Sequence, residues 1–417
     1  MQSLVIEGGR RLCGEIQIQG AKNSALPLLA AAILGQGETT FTNCPLLTDI
    51  YAACRILSYL GCKCKIDGNT VSADTSNLVN FEVPDDLMRE MRSSIIFLGA
   101  ILGRLGECRL SFPGGCELGP RPIDIHLSAL RKMGVTIKEE YGMLDCRVEK
   151  ELSGAKINLP FPSVGATENI MLAAVLAKGQ TEIKNAAREP EITDLAKYLN
   201  LCGAKIYGAG ESTITIEGVD FLHGCQYEVM PDRIAAITYL CAGAITGGEI
   251  NLAKVCPEHI DAVIPVLEEM GCHLYSYADN IYINAPKRLK PVKIIRTMPY
   301  PAFPTDAQAI VSAVLCKAKG TSIIVENIFE NRYKHVSELL KMGADIKTEG
   351  KVAIIQGVDK LYGTTVCATD LRGGAALVIA GLAAEGKTEV TNIKHIDRGY
   401  ESIEKVLSLT GAKIERK

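Results

Sequence analysis

A short phrase recurs six times along the chain, and this repeat constrains the fold more than any other feature. In each copy, a leucine lies four residues before a glycine that is followed by a strand-like run, at Gly61, Gly134, Gly203, Gly271, Gly343 and Gly411. Successive copies lie 68 to 73 residues apart. Because a repeat of this period determines the whole architecture, the chain is predicted to be one structural unit used six times.

A second glycine marks each copy, 23 to 28 residues upstream of the first, at Gly37, Gly106, Gly179, Gly248, Gly320 and Gly386. An apolar helical run precedes it and a strand follows. The unit is therefore predicted as helix, glycine turn, strand, loop, helix, glycine cap and strand hairpin. Its helices are rich in Ala, Leu and Ile, which predicts burial on most sides.

The sixth copy ends at Lys417 without its closing strand pair, and the missing piece is found near residue 1. Residues 6–14 match residues 216–224 and 355–363. The N-terminal strands are therefore expected to complete the C-terminal repeat. This divides the chain into one domain of residues 22–229 and a second of residues 1–21 plus 230–417. Two crossings would form a hinge, and a cleft between hinged domains is a common ligand site.

Composition excludes several classes of function. There are 45 Lys and Arg against 48 Asp and Glu, a net charge of −3 without a basic block, so a nucleic-acid partner is not expected. The longest apolar stretches, such as residues 25–34, reach about half of the roughly 20 residues that span a bilayer. No signal peptide is apparent, so a cytoplasmic protein without a membrane partner is predicted. The 15 cysteines follow neither a disulfide nor a metal-site spacing, so reduced thiols and no metal are expected.

Charged residues begin several of the apolar helices. Lys22, Arg233 and Arg372 occupy matched positions, directly after a strand and before a helix. Helix N-termini attract anions, although a polar residue at any one of these positions is equally well explained as a helix cap. Arg92 and Asp306 begin helices of other copies. One Lys and two Arg at matched positions are not explained by capping, so the sequence predicts anion-binding elements.

The segment 111–124 replaces the ordinary connector of the second repeat. Three glycines predict a mobile loop and three prolines an irregular one, and such a loop can close over a cleft and exclude water. Cys116 lies at its tip, although a lone cysteine is more often an inert apolar residue than a reactive thiol. Arg121 would hold a phosphate or lower the thiol pKa, whereas Glu117 would oppose that lowering.

The sequence PGGCELGPRPIDIH, which begins at Pro113, resembles the cysteine-loop signature of enolpyruvyl transferases that act on UDP-N-acetylglucosamine. The resemblance extends over the whole chain, through GAKNSALP at Gly20, SVGATENIM at Ser163, PDRIAA at Pro231, PTDAQA at Pro304, FENRYKH at Phe329, DLRGGAAL at Asp370 and IDRGYE at Ile396. The departures are mild: Leu118 stands where the family often has Ile, and Gly373 and Gly374 replace other small residues.

This resemblance implies an α/β (α+β) fold of two inside-out, barrel-like α/β domains, each of three repeated units, joined by a double-crossover hinge. It also implies transfer of the enolpyruvyl group of phosphoenolpyruvate to the 3′-hydroxyl of UDP-N-acetylglucosamine with release of phosphate, the first committed step of peptidoglycan biosynthesis. The chemistry needs an acid, a base and several cations, but no metal or redox cofactor. The oligomeric state is not predicted.

The resemblance also assigns roles to single residues. Cys116 is the expected proton donor and can bond to phosphoenolpyruvate, whereas Asp306 accepts the proton of the sugar hydroxyl. Residues that match the phosphoenolpyruvate site are Lys22, Asn23, Arg121, Arg372 and Arg398. Residues that match the nucleotide-sugar site are Asn23, Arg92, Arg121, Pro122, Ile123, Asp124, Ile125, Ser163, Val164, Gly165, Asp306 and Ile328. Without the surrounding motifs, Asp306 would be interpreted as a helix cap and Arg398 as a solvated arginine.

Two alternatives are disfavoured by the sequence. An enolpyruvyl transferase acting on shikimate 3-phosphate shares the fold but lacks this cysteine loop, so Cys116 argues against it. A non-catalytic, clamp-like repeat scaffold would need no cations aligned at helix starts and would favour a basic inner face.

Overall fold

The computed structural model describes residues 2–91, 93–112 and 123–417. These residues form two compact units: a first unit of residues 20–112 and 123–230, and a second unit of residues 2–19 and 231–417. Four of the predicted site residues, Arg92, Cys116, Arg121 and Pro122, lie outside the described residues.

The elements follow one another in the predicted order of helix, strand, helix and hairpin. Up to residue 112 they are β1 (Leu4–Glu7), β2 (Cys13–Gln17), α1 (Lys22–Ala32), β3 (Glu38–Thr42), α2 (Thr48–Leu60), β4 (Lys63–Asp67), β5 (Thr70–Asp74), β6 (Glu82–Val83), α3 (Asp85–Glu90), α4 (Phe97–Leu105) and β7 (Glu107–Ser111). From residue 123 to residue 230 they are α5 (Asp124–Lys132), β8 (Val135–Glu140), β9 (Met143–Val148), β10 (Lys156–Asn158), α6 (Val164–Ala174), β11 (Gln180–Lys184), α7 (Pro190–Leu201), β12 (Lys205–Tyr207), β13 (Thr213–Glu217) and β14 (Gln226–Glu228).

The remaining residues repeat this order three more times. Their elements are α8 (Arg233–Ile245), β15 (Glu249–Ala253), α9 (Ile264–Glu269), β16 (His273–Tyr277), β17 (Asn280–Asn284), β18 (Ile294–Arg296), α10 (Thr305–Leu315), β19 (Thr321–Val325), α11 (Val336–Lys341), β20 (Asp345–Glu349), β21 (Val352–Gln356), β22 (Leu361–Tyr362), β23 (Thr365–Cys367), α12 (Leu371–Leu382), β24 (Ala384–Glu385), β25 (Lys387–Thr391), α13 (Ile403–Ser408) and β26 (Lys413–Arg416).

Each repeat builds a four-stranded sheet of one pattern. The strand after the turn pairs antiparallel with the second hairpin strand and parallel with a strand that arrives from a neighbouring repeat. The strand orders in the first unit are β14-β3-β5-β4, β6-β7-β9-β8 and β10-β11-β13-β12. Those in the second unit are β2-β15-β17-β16, β18-β19-β21-β20 and β23-β25-β1-β26.

The N-terminal strands occupy the positions that the sixth repeat lacks. β1 lies between β25 and β26, with Ile6 opposite Thr388 on one side and Ile414 on the other. β2 pairs in parallel with β15 of the fourth repeat. In the first unit, β14 pairs in parallel with β3 in the same way. The three repeats of each unit are therefore closed into a ring by strand pairing.

The apolar helices lie inside and the sheets outside. In the second unit α8, α10 and α12 pack on one another, and every residue of α8 is buried. In the first unit α4 packs on α6 and α1. The strands bury alternate residues, as β13 and β21 do. A helix that is apolar all round needs neighbours on all sides, whereas a sheet needs one covered face. The predicted α/β fold of repeated inside-out units is confirmed.

The cap glycines explain why the repeat is visible in the sequence. All six have φ between +87° and +107°, a left-handed conformation that strains any residue with a Cβ. In the fourth repeat, the predicted turn glycine is wrong by one residue, because Gly247 (φ +60°) takes the left-handed conformation instead of Gly248. Gly248 is needed for another reason: a Cβ there would lie 2.5 Å from the carbonyl oxygen of Leu12.

Two further observations concern the length of the apolar helices and the cysteines. Across the described ranges, no helix is long and apolar enough to cross a membrane. The described cysteines are free thiols. Cys64 lies within β4, and Cys62 is buried just before it.

Candidate active site

Asp306, the second residue of α10, is held between two arginines. Arg332 Nη2 donates to Oδ1 at 2.7 Å, and Arg372 donates to Oδ2 from Nη2 at 3.2 Å and from Nε at 3.3 Å. The two arginine side chains are 3% and 4% exposed, but that of Asp306 is 29% exposed. No described side chain caps α10, which begins after Pro304, so the helix-cap interpretation of Asp306 is wrong. The carboxylate is the accessible part of a rigid ion cluster.

The arginines determine the protonation state of Asp306. Burial alone would raise the pKa of its carboxyl group, but the positive charges of Arg372, Arg332 and Arg233 outweigh that effect and hold the pKa well below its usual range. Asp306 is therefore ionised at neutral pH and can accept a hydrogen bond from a hydroxyl group.

Arg372 is fixed by contacts on both its backbone and its side chain. Asp370 caps α12 by accepting from the backbone N–H groups of Arg372 and Gly373, each at 3.0 Å. Arg372 Nη1 donates to the Tyr400 hydroxyl at 3.1 Å, and the guanidinium lies 5.6 Å from the centre of that ring. The Tyr400 hydroxyl in turn lies 2.8 Å from Thr238 Oγ1. These contacts fix the orientation of the guanidinium.

Arg332 is a member of the cluster that the sequence did not identify. Its Nη2 and Nε donate to the backbone carbonyl of Thr305 at 3.1 and 3.3 Å, and it stacks on Phe329 at 5.5 Å from the ring centre. Arg332 lies in the quoted motif FENRYKH, between β19 and α11. The polar sequence around Arg332 did not predict that the side chain is buried. Its place in the FENRYKH motif was the one sequence feature that could have identified it.

Arg233 completes a convergence of helix starts. It is the first residue of α8, with its guanidinium 5.7 Å from the centre of the Tyr300 ring. Arg233, Asp306 and Arg372 each lie in the first turn of one of the three central helices, and they interact electrostatically. The positive ends of three helix dipoles therefore meet at one end of the unit, where they favour anions.

Arg398 ends a 3₁₀ helix, Ile393–Arg398, that packs against α12. Its side chain is half-buried. This placement differs from that of a fully solvated arginine.

Lys22 begins α1 in the first unit and forms an ion pair with Asp49 at 2.6 Å from Nζ to Oδ2. The two side chains are 10% and 2% exposed, so the pair is nearly buried. The neighbouring Asn23 is exposed. Asp49 was not identified from the sequence, because an acidic residue early in α2 is common on any helix.

The start of α6 contains three of the predicted nucleotide-sugar residues. Ser163 caps the helix by accepting from the N–H of Ala166 at 3.4 Å, and Val164 is the first helical residue. A Cβ on Gly165 would lie 3.2 Å from His126 of α5. The starts of α5 and α6 are therefore adjacent.

The other predicted contacts lie at the start of α5 and after β19. Ile123 and Ile125 are half-buried and pack against the core of the first unit, which leaves Asp124 exposed between them. Ile328, in the second unit, is half-buried in the loop that follows β19. The described site residues thus belong to both units. No group of three or more His, Cys, Asp or Glu among the described residues could hold a metal ion.

Comparison with known proteins places these features in a family. The family model described as EPSP synthase (3-phosphoshikimate 1-carboxyvinyltransferase) matches residues 6–407. A protein of Caldanaerobacter subterraneus subsp. tengcongensis named UDP-N-acetylglucosamine 1-carboxyvinyltransferase 2 is 53% identical over 416 residues, which cover 100% of both chains. A UDP-N-acetylglucosamine 1-carboxyvinyltransferase of Nitratidesulfovibrio vulgaris is 50% identical over 417 residues, covering 100% of this chain and 99% of that protein.

Two solved structures share the fold. The enolpyruvyl transferase NikO from Streptomyces tendae superposes with a TM-score of 0.89 at 26% identity, covering 100% of this chain and 99% of that one. An EPSP synthase from Acinetobacter baumannii gives a TM-score of 0.77 at 20% identity, with all of both chains covered. The second likeness concerns the fold alone.

Proposed function

Because the chain belongs to the EPSP synthase family of enolpyruvyl transferases, we propose that it transfers the enolpyruvyl group of phosphoenolpyruvate to the 3′-hydroxyl of UDP-N-acetylglucosamine and releases phosphate. The observation that supports this acceptor is the identity of 50–53% over the full length with relatives named for that reaction. The reaction is the first committed step of peptidoglycan synthesis, and the chain is a transferase.

The reaction needs an acid that protonates phosphoenolpyruvate and a base that deprotonates the sugar hydroxyl. A proton added to the CH2 carbon of phosphoenolpyruvate makes the neighbouring carbon cationic, and the 3′-oxygen of the sugar attacks that carbon. The hydroxyl proton leaves to a base. The resulting tetrahedral ketal then loses a proton from its methyl group and expels phosphate, which restores the double bond.

We assign the base to Asp306. It is ionised, partly exposed and held in place by Arg332 and Arg372, as a group that accepts a hydroxyl proton must be. A carboxylate paired with two arginines is a weak base. An anionic substrate bound near Arg372 would offset the positive charge around Asp306, raise its pKa and strengthen the base.

We assign the acid to Cys116, which lies outside the described residues, and the binding of phosphoenolpyruvate to Lys22, Asn23, Arg121, Arg372 and Arg398. Fixed cations beside a developing phosphate charge stabilise the transition state more than mobile ones. The nearly buried ion pair of Lys22 and the clamped Arg372 support this assignment.

The nucleotide sugar is assigned to residues of both units. The proposed contacts are Asn23, Arg92, Arg121, Pro122, Ile123, Asp124, Ile125, Ser163, Val164, Gly165, Asp306 and Ile328. The exposed Asn23 and the helix start at Ser163 suit a polar, anionic ligand.

The proposal extends to the cell. A cytoplasmic location, a role in cell shape and division through the cell wall, and inactivation by the epoxide fosfomycin through alkylation of Cys116 all follow from the assigned reaction. Mass spectrometry of inactivated protein should show the adduct on the Cys116 peptide. An unmodified Cys116 peptide in fully inactivated protein would contradict the assignment of the thiol.

The deciding experiment measures phosphate release from phosphoenolpyruvate with UDP-N-acetylglucosamine and shikimate 3-phosphate offered separately. Release with the nucleotide sugar alone is expected. Release with shikimate 3-phosphate alone would agree with membership of the family but refute UDP-N-acetylglucosamine as the acceptor substrate. Cys116→Ser should lose most of the activity while still binding the nucleotide sugar, and undiminished turnover would remove Cys116 as the acid.

A further inference from the structure

Glu326, the residue after β19, is a fully buried carboxylate that joins two parts of the proposed site. We propose that Glu326 is a positioning residue that holds the base Asp306 and the nucleotide-sugar contact Ile328 in one fixed relation. This inference rests on the proposed function, because it concerns the placement of two residues assigned to that reaction.

Both carboxylate oxygens of Glu326 are used, and they serve different segments. Oε1 accepts from the backbone N–H of Ile328 at 2.8 Å and from that of Phe329 at 3.1 Å. Oε2 accepts from the hydroxyl of Thr305 at 3.0 Å. The carboxylate therefore links the loop that holds Ile328 to the first residue of α10.

Thr305 transmits this link to the base. It directly precedes Asp306, and its backbone carbonyl accepts from Arg332, which also donates to Asp306. Phe329, whose N–H is bound by Glu326, stacks on the same Arg332. The loop and the helix start are thus joined through Glu326 on one side and Arg332 on the other. Neither can shift by itself without breaking a hydrogen bond.

The other repeats show that a carboxylate is not needed to hold this loop. In three of them, the residue after the corresponding strand is an asparagine whose Nδ2 donates to a carbonyl just beyond the parallel edge strand: Asn43 to Val229, Asn185 to Leu159 and Asn392 to Ala368. These asparagines have φ between +51° and +57°.

The fifth repeat keeps that bond and adds Glu326 in front of it. Asn327 Nδ2 donates to the carbonyl of Thr297, which follows β18, at 3.1 Å. The asparagine is displaced by one position, and Glu326 occupies the position it holds elsewhere. The architectural bond is therefore made without Glu326. Burying a carboxylate is costly unless it is fully hydrogen-bonded, so the structure assigns the extra residue a role particular to this site.

The test compares Glu326→Ala with Glu326→Gln. Alanine removes all three bonds, and small displacements of reacting groups cost large factors in rate. We expect the KM for UDP-N-acetylglucosamine to rise and kcat to fall, each by about tenfold, with the KM for phosphoenolpyruvate unchanged within about twofold. Glutamine keeps an oxygen for the two N–H groups and can donate to the Thr305 hydroxyl, so it should restore most of both constants.

Two further variants separate positioning from simple stability. Thr305→Val cuts the link to α10 but leaves the loop, so kcat should fall while the KM for the nucleotide sugar stays near the wild-type value. Asn185→Gly removes the corresponding loop bond in the third repeat and should lower the melting temperature without changing the kinetic constants.

The outcomes distinguish the two levels of the proposal. Suppose that the wild type is active with UDP-N-acetylglucosamine and that Glu326→Ala, like Asn185→Gly, loses only stability. This result would overturn the positioning role of Glu326 but not the proposed function. A wild-type protein inactive with this acceptor would overturn the proposed function and the inference with it. If Glu326→Ala does not fold, unchanged kcat in folded Thr305→Val refutes the link.

Discussion

Acidification should destabilise the second unit through a single residue, His335, which directly precedes α11 and is fully buried. Burial lowers the pKa of this imidazole to about 4, and the positive charge of Arg332 acts in the same direction, whereas Asp370 and a backbone hydrogen bond oppose it without compensating. In the unfolded chain the imidazole has its ordinary pKa of 6.5. The unfolded state therefore binds a proton that the folded state does not bind.

The sign and size follow from linkage between protonation and folding. Because the folded pKa is depressed, the stabilising contribution is fully present above pH 6.5 and is lost as the pH falls toward 4. Between pH 7.5 and pH 4.5 the free energy of unfolding should fall by about 2–3 kcal/mol from this residue. That loss is a sizeable part of the roughly 5–15 kcal/mol that stabilises a typical domain.

The assay is urea unfolding followed by circular dichroism at pH 7.5, 5.5 and 4.5. His335→Leu keeps a similar volume without a titratable group, so its free energy of unfolding should fall by about 2–3 kcal/mol less than that of the wild type over this range. His273→Leu, at an exposed position of β16, is the matched control and should follow the wild type. Equal acid-induced losses for His335→Leu and the wild type would refute the reasoning.

Three further predictions concern single contacts. Asp49→Asn removes the charged partner of Lys22 at 2.6 Å, so the KM for phosphoenolpyruvate should rise severalfold while the KM for the nucleotide sugar stays constant in steady-state assays. Gly61→Ala should lower the urea midpoint more than Gly411→Ala does. Both positions have positive φ, but only at Gly61 would a Cβ lie 2.4 Å from a backbone oxygen. Equal midpoints for the two variants would contradict this reasoning. Burial raises the pKa of Glu168 well above its ordinary value, so the wild type should lose stability as the pH rises above about 4.5. In calorimetry, Glu168→Gln should therefore show a smaller fall in melting temperature between pH 5 and pH 8 than the wild type. Parallel falls in the two proteins would contradict this prediction.

The fold was predictable because its determinants are local. A helix that ends in a left-handed residue selects glycine at that position, so the six caps leave a periodic mark in the sequence. The N-terminal strands were recognised because residues 6–14 repeat a phrase found twice elsewhere. The one-residue error at Gly248 arose because two adjacent glycines serve different needs, a turn and a close backbone approach, and sequence alone does not tell them apart.

From the repeat alone, candidate site residues were recognisable only at matched helix starts. Lys22 and Arg372 were identified because matched helix starts carry cations. Arg332 and Asp49 were missed because their importance lies in contacts across long stretches of sequence, 26 residues from Asp306 for the first. Arg332 lies in a polar loop, and its burial to 3% exposure depends on tertiary packing that no local pattern reports.

The second unit shows how a repeated fold acquires an asymmetric ion cluster. Its three central helices begin at one end of the unit, and the corresponding first turns carry Arg233, Asp306 and Arg372. Three identical charges there would repel one another. Three residues that only capped their helices would leave no side chain available for a ligand. One carboxylate between two arginines instead gives a fixed acceptor beside fixed cations, and the helix dipoles add positive potential. Arg332 and Glu326 come from the loop after β19, and both hydrogen-bond to Thr305 at the start of α10. The asymmetry of this ion cluster is therefore concentrated in the fifth repeat.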